Sequence, residues 1–194
     1  MPLASDPLSQ AKATLRRMAA AGRDAAHAAM GATAADALVR QGVDTLAALR
    51  PRVVAGFCSI RSEIDVRPLM LALAATTGAQ LAMPVVIARG QPLLFRRWRA
   101  EMVLTAGPFG TAHPPESEPA LVPDLVLVPL LAFDHRRHRL GYGAGFYDRT
   151  LAALRTAGPV AAVGIAYGAQ QVDAVPIGDH DERLDLILTE RGFI

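Results

Sequence analysis

Residues 125–128 read Leu-Val-Leu-Val, apolar at every position with no polar alternation. A strand with one wet face alternates, so this run belongs to a strand covered on both sides. That points to a parallel sheet sandwiched between helices. The neighbouring segments agree. Residues 52–57, 80–87 (carrying Pro84), 92–98, 160–167 and 186–189 are rich in branched and apolar side chains and read as further strands. Between them lie helical stretches at 66–77 and 147–155. Pro68 suits a first helical turn and Gly78 a C-terminal cap. Strand and helix alternation of this kind implies βαβ units. The expectation is an α/β fold: a single-domain, three-layer, Rossmann-like arrangement over residues 1–194 with a mainly parallel sheet.

The chain before the first strand is alanine-rich. It reads as two helices, 10–29 with Ser9 as N-cap and 33–49 with Thr33 as N-cap, separated at Gly31 and stopped by Pro51. Leu15, Met18 and Ala19 share a face of the first. Residues 1–30 carry arginines, but Asp6 and Asp24 interrupt them and no apolar signal core follows. The stretch therefore reads as a helix of the mature protein, and the cytoplasm is the expected location. Residues 100–120 contain Gly107, Pro108, Gly110, Pro114, Pro115 and Pro119 and are expected to form a long structureless loop, functional or mobile.

Composition removes several classes. The chain has 194 residues, 52% of them hydrophobic, with 20 basic and 18 acidic residues. Such a chain can bury roughly 70% of its unfolded surface, so neither disorder nor a need for staples is expected. Cys58 stands alone, which excludes a disulfide framework and a Cys-only metal site. No apolar run approaches the ~18 residues of a membrane span. The near balance of charge argues against a nucleic-acid partner. The clusters Arg96-Arg97-Arg99 and Arg136-Arg137-Arg139 suit a small anionic ligand instead.

The richest segment is Arg139-Leu-Gly-Tyr-Gly-Ala-Gly-Phe-Tyr-Asp-Arg149. Alternate glycines before a helix let the backbone turn and approach a ligand closely. Backbone N–H groups and the helix N-terminus can then meet phosphate oxygens, with Arg139 and Arg149 as flanking cations and Asp148 as a Mg²⁺ ligand. A plain helix-capping turn is the alternative. The spacing matches neither a Walker loop nor the dinucleotide fingerprint. Lys12 and Arg16, four apart, share a helix face; they clamp phosphates or form a solvated basic face. Glu63 follows a strand end, where open α/β sheets bind ligands, and suits a heterocycle with N–H donors; a loop carboxylate or cap is the other reading. His180, Asp181 and Asp185 offer a second carboxylate for a metal or a solvated turn. Asp134 and Gln170 are strand-end polar groups. His113, His135 and His138 lack zinc spacing. Cys58 reads as a small wall residue.

Taken together these segments resemble the 5-formyltetrahydrofolate cyclo-ligase (5,10-methenyltetrahydrofolate synthetase) family. The resemblance runs from Lys12 to Thr189. It rests on residues 123–134 continuing through 139–149, with Lys12-x-x-Leu15-Arg16, Glu63-Ile-Asp65, Gly164-Ile-Ala-Tyr-x-x-Gln170, Pro176, His180-Asp181 and Leu184-Asp185 in support. It implies a fold like that of the sugar-phosphate isomerases and CoA transferases. It also implies an ATP- and Mg²⁺-dependent enzyme, expected as a monomer, that acts on 5-formyltetrahydrofolate, polyglutamylated or not. Lys12, Arg16 and Arg139, Leu140, Gly141, Tyr142, Gly143, Ala144, Gly145, Phe146 and Tyr147 are then the ATP contacts. Cys58, Glu63 and Tyr142 to Phe146 line the folate pocket, and Asp148 and Asp181 hold the metal. No catalytic nucleophile is implied. Two positions differ from the usual pattern: His113 occupies an acidic position, and Arg137 stands where glycine is common. A non-catalytic folate- or nucleotide-binding module on the same scaffold is the alternative.

Overall fold

The computed structural model describes residues 6–194. The first five residues of the 1–30 stretch read for targeting lie outside the described residues. The chain begins with one helix, Pro7–Ala47 (α1), about 60 Å long at 1.5 Å per residue. Proline stands at its start, where its missing N–H is harmless. The expected break at Gly31 does not occur. A lone glycine costs a helix about 1 kcal/mol relative to alanine, too little to end it when the flanking turns are packed. The His27 ring fills the space, so that a Cβ on Gly31 would lie 2.8 Å from it. Thr33 caps no new helix; its hydroxyl donates back to the Met30 carbonyl.

The strands follow as Val53–Ala55 (β1), Gln80–Val85 (β2), Leu94–Trp98 (β3), Thr105–Ala106 (β4), Ala112–His113 (β5), Ala120–Leu121 (β6), Leu125–Pro129 (β7), Ala132–Phe133 (β8), Arg139–Leu140 (β9), Ala161–Ile165 (β10), Leu186–Thr189 (β11) and Gly192–Phe193 (β12). Arg67–Thr77 (α2) and Phe146–Ala157 (α3) are the other α-helices among the described residues. An eight-stranded sheet runs β12-β11-β10-β7-β1-β2-β3-β6. Strands β11, β10, β7, β1 and β2 are parallel; β12, β3 and β6 pair antiparallel at the two edges.

The apolar run separates cleanly by parity. Leu125 and Leu127 pack with Leu38 and Leu46 of α1 and Leu69, Met70 and Leu73 of α2. Val126 and Val128 pack with Leu151 of α3 on the opposite face. Three layers result, as expected. Burial of each such side chain contributes about 1.5–3 kcal/mol. Helix α1 comes very close to the sheet at Gly42, where a Cβ would lie 2.4 Å from a methyl of Leu188. No described helix is long and apolar enough to cross a membrane.

The stretch 100–120 is not structureless. Strands β4 and β5 form a small hairpin about a 3-10 turn at Pro108–Gly110, and β6 joins the sheet edge. The prolines fall outside the ladder positions, so they bound these short strands without abolishing them. The loop after β7 likewise contains a hairpin, β8 with β9. Its turn places Arg137 at φ +65°, the left-handed region that glycine occupies without penalty.

In chain order, β1, α2 and β2 build outward to one side, while β7, α3 and β10 build to the other. The switch lies between β1 and β7. Open α/β sheets bind ligands beyond the strand carboxyl ends at such a point.

Candidate active site

A cleft of about 1030 Å³ lies at that switch. Every residue assigned above to nucleotide, folate or metal lines it: Lys12 and Arg16 from α1, Cys58 and Glu63 from the loop after β1, residues 139–148, and Asp181. These come from four separate parts of the chain, and the fold brings them into one cleft.

Glu63 is held by its own loop. A turn with Arg61 at φ +55° folds the chain back, and the Ile60 N–H donates to Glu63 Oε2 at 2.9 Å. The Tyr142 hydroxyl donates to Oε1 at 2.7 Å. Only 8% of the residue is exposed. Burial raises its pKa above the usual carboxylate value, and the Ile60 N–H, the Tyr142 hydroxyl and the cations Arg23 and Arg61 offset that only in part. Burial and the Glu63 charge push the Tyr142 hydroxyl up to about 12. Burial likewise holds Tyr147 far above its ordinary value. Both phenols are therefore donors at neutral pH.

The glycine-spaced loop forms the facing wall. Gly143 has φ +102° and Gly145 φ +66°; side chains there would be strained and would meet Arg16 and Arg149 respectively. Arg16 Nε donates to the Gly141 carbonyl at 2.9 Å. Arg149 donates to the Ala144 carbonyl. Gly145 is also the N-cap of α3, which has no side-chain cap. Its first-turn N–H groups thus stand at the cleft wall with the positive end of the helix dipole. The basic pair 12 and 16 is accordingly drawn into the cleft, and the solvated-face reading is set aside.

The two aspartates are both ion-paired. Arg139 Nη2 donates to Asp148 Oδ1 at 2.8 Å, and the Glu182 N–H donates to the same oxygen at 3.1 Å. Asp181 accepts from Lys12 and from the Gly178 N–H. Burial would raise the Asp181 carboxyl, but the Lys12 and Gly178 donors outweigh it, and its pKa is lowered. Among the described residues no group of three or more His, Cys, Asp or Glu side chains converges for a metal. Two hard carboxylates fit a Mg²⁺ ion whose other oxygens come from phosphates and water, and they do not fit an ion caged by protein alone.

Other singled-out residues are structural. Asp134 is fully buried and accepts from the backbone N–H of Arg136, His138 and Val175 and from the His138 ring. Gln170 donates to the Leu130 and Leu131 carbonyls and accepts from the Tyr167 N–H. Asp185 ties the Ala162 N–H to Arg155. Asp181 alone of the three C-terminal residues reaches the cleft; His180 and Asp185 do not line it. His113 meets the Pro114 carbonyl.

The sequence reading missed Arg23, Arg61, Arg89 and Phe109. Arg61, Arg89 and Phe109 line the cleft. Phe109, at the hairpin tip, lies 6.2 Å centroid to centroid from Phe146. Arg23 sits behind Glu63. Its signal was present: eleven residues after Lys12 is three helical turns, so Arg23 shares a face with the basic pair.

A model of the 5-formyltetrahydrofolate cyclo-ligase family matches residues 8–190. The 5-formyltetrahydrofolate cyclo-ligase of Mycolicibacterium smegmatis is 33% identical over 157 residues, 74% of this chain and 76% of the relative. That of Escherichia coli K12 is 32% identical over 142 residues, 70% and 76% of the two chains. The Haemophilus influenzae protein of that name is 37% identical over 100 residues; this match spans only about half of each chain, 50% and 53%. Among solved structures, the 5,10-methenyltetrahydrofolate synthetase of Aquifex aeolicus superimposes with a TM-score of 0.72 at 25% identity, covering 94% of this chain and 91% of the other. A Mycoplasma pneumoniae structure, 23% identical, shares the fold at the same TM-score, covering 92% and 98%.

Proposed function

Because this chain belongs to the 5-formyltetrahydrofolate cyclo-ligase family, we propose that it closes 5-formyltetrahydrofolate to 5,10-methenyltetrahydrofolate with conversion of ATP to ADP and phosphate. The observation that carries the reading is the convergence in one cleft of the glycine loop, its basic neighbours and the buried Glu63.

A formamide oxygen is a poor leaving group. Transfer of the γ-phosphoryl group to that oxygen forms a P–O bond, breaks the bond to ADP and leaves an electrophilic carbon. The N10 lone pair then forms the second C–N bond, N10 loses its proton, and the C–O bond breaks with departure of phosphate. The protein's work is alignment and charge neutralisation. Lys12, Arg16, Arg139 and the uncapped start of α3 are placed to meet triphosphate oxygens. Asp148 and Asp181 would hold Mg²⁺, which neutralises phosphate charge when bound. Glu63 is the acceptor for the N–H donors of the pterin: each of its oxygens takes one donor from the protein and keeps a second lone pair. Cys58 and Phe146 supply apolar wall.

The test is spectrophotometric. The purified chain with 5-formyltetrahydrofolate should form methenyl product only when ATP and Mg²⁺ are present. Stoichiometric binding without ADP release would contradict the reading and favour a binding module.

A further inference from the structure

Arg23 does not line the cleft, yet it is the most deeply buried charged group on α1, with 2% of the residue exposed. Its Nε donates to Ser62 Oγ at 3.0 Å, and Ser62 in turn donates to Asp24. Its Nη1 donates to the Tyr142 hydroxyl at 2.6 Å and lies 3.6 Å from Glu63 Oε1. A guanidinium only donates and stays charged. The Tyr142 oxygen must therefore accept from Arg23, and its own proton must point at Glu63 Oε1. That oxygen must then be an acceptor. With the Ile60 N–H donating to Oε2, both oxygens of Glu63 are held as hydrogen-bond acceptors.

We infer that Arg23 is a positioning residue of the substrate pocket: it directs the Tyr142 hydroxyl onto Glu63 and keeps Glu63 the hydrogen-bond acceptor that a folate ring requires. The inference rests on the folate reading proposed above and deepens it. It also links the two halves of the reaction, since the helix that carries Lys12 and Arg16 to the phosphates carries the residue that sets the pterin anchor. The charged and titratable groups around this pair are Arg61, Tyr142 and Tyr147 beside Glu63, and Asp24 (through Ser62), Tyr167, His27 and Glu190 on the Arg23 side. Removing Arg23 deletes the nearest opposing charge from a carboxylate already raised by burial, so Glu63 should take up a proton at higher pH.

The experiment compares wild type, R23Q, R23K and S62A of the full chain by steady-state kinetics from pH 5 to 9. For R23Q, the KM for 5-formyltetrahydrofolate should rise about tenfold or more at neutral pH, with the KM for ATP within about twofold. The acid limb of kcat/KM for the folate should move up by about one pH unit. R23K keeps the cation but not the fork, and should recover part of the affinity and most of the limb. S62A frees the Nε anchor while leaving the charge, so it should raise the folate KM a few-fold with the limb unmoved. If R23Q does not fold, R23K and S62A carry the test on the same readouts. A wild-type folate KM and acid limb in R23Q, equal loss of ATP and folate affinity, or a limb shift of about one pH unit in S62A would overturn the inference. An inactive wild type would instead remove the functional reading beneath it.

Discussion

Two side chains carry the heaviest chemical assignments, and each is open to a single substitution. Glu63→Gln replaces an ionised acceptor by an amide. Calorimetry should show folate binding weakened ten- to a hundredfold, about 1.5–3 kcal/mol for a hydrogen bond to a charged group, with ATP affinity unchanged. The variant should also melt lower, because Arg23 is left buried without its carboxylate. Asp148→Asn should raise the Mg²⁺ concentration needed for half-maximal turnover by an order of magnitude or more, read from a Mg²⁺ titration at fixed ATP; unchanged turnover at limiting Mg²⁺ would count against its role. At this scale much of the site was legible. Glycines at 141, 143 and 145 beside Arg139 and Asp148 are a dense local pattern, and proximity in sequence survives folding. Arg23 was legible only as a further basic residue on the face of Lys12 and Arg16, not as the partner of Glu63, and Phe109 was not legible. One reaches Glu63 from a helix 40 residues away in sequence, and the other from a loop read as irregular, so only the tertiary fold reveals them.

Elements were read well where periodicity decided and poorly where punctuation decided. The strand at 124–128 appears as Leu125–Pro129, and helix 66–77 as Arg67–Thr77. Helix α1 ran through its expected break because packing of His27 and the sheet outweighs one glycine. The hairpin β8–β9 was hidden because its strands are two residues each, too short for any pattern. Its turn depends instead on Asp134. Burial would raise that carboxyl, but hydrogen bonds from Val175 and His138 hold it below the usual 3.8. A folded-state value below the unfolded one means its stabilisation is full above about pH 4 and is lost as pH falls through the lower value. Asp134→Asn should thus cost about 2–3 kcal/mol in urea unfolding at pH 7, and the gap to wild type should narrow only in strong acid. A pH-independent gap would contradict the assignment. Arg137, beside it at φ +65°, shows that the turn keeps a glycine-like geometry with a non-glycine residue.

The whole molecule is arranged so that the basic face of α1, the glycine loop and Glu63 meet in one cleft. An apolar strand buried on both faces demands helices on each side, and the parallel order with a switch between β1 and β7 leaves one crevice at the strand carboxyl ends. One long helix then lays its basic face along that crevice, opposite the glycine loop. The unbroken apolarity of the run made the layering legible; strand order was not, because it is set by crossover connections that leave no local trace. The central claim is that this crevice brings the formyl oxygen to the γ-phosphoryl group. The direct measurement uses 5-formyltetrahydrofolate labelled with oxygen-18 in the formyl group, followed by mass spectrometry of the released phosphate. One labelled oxygen per phosphate is predicted; unlabelled phosphate from a complete turnover would contradict the account.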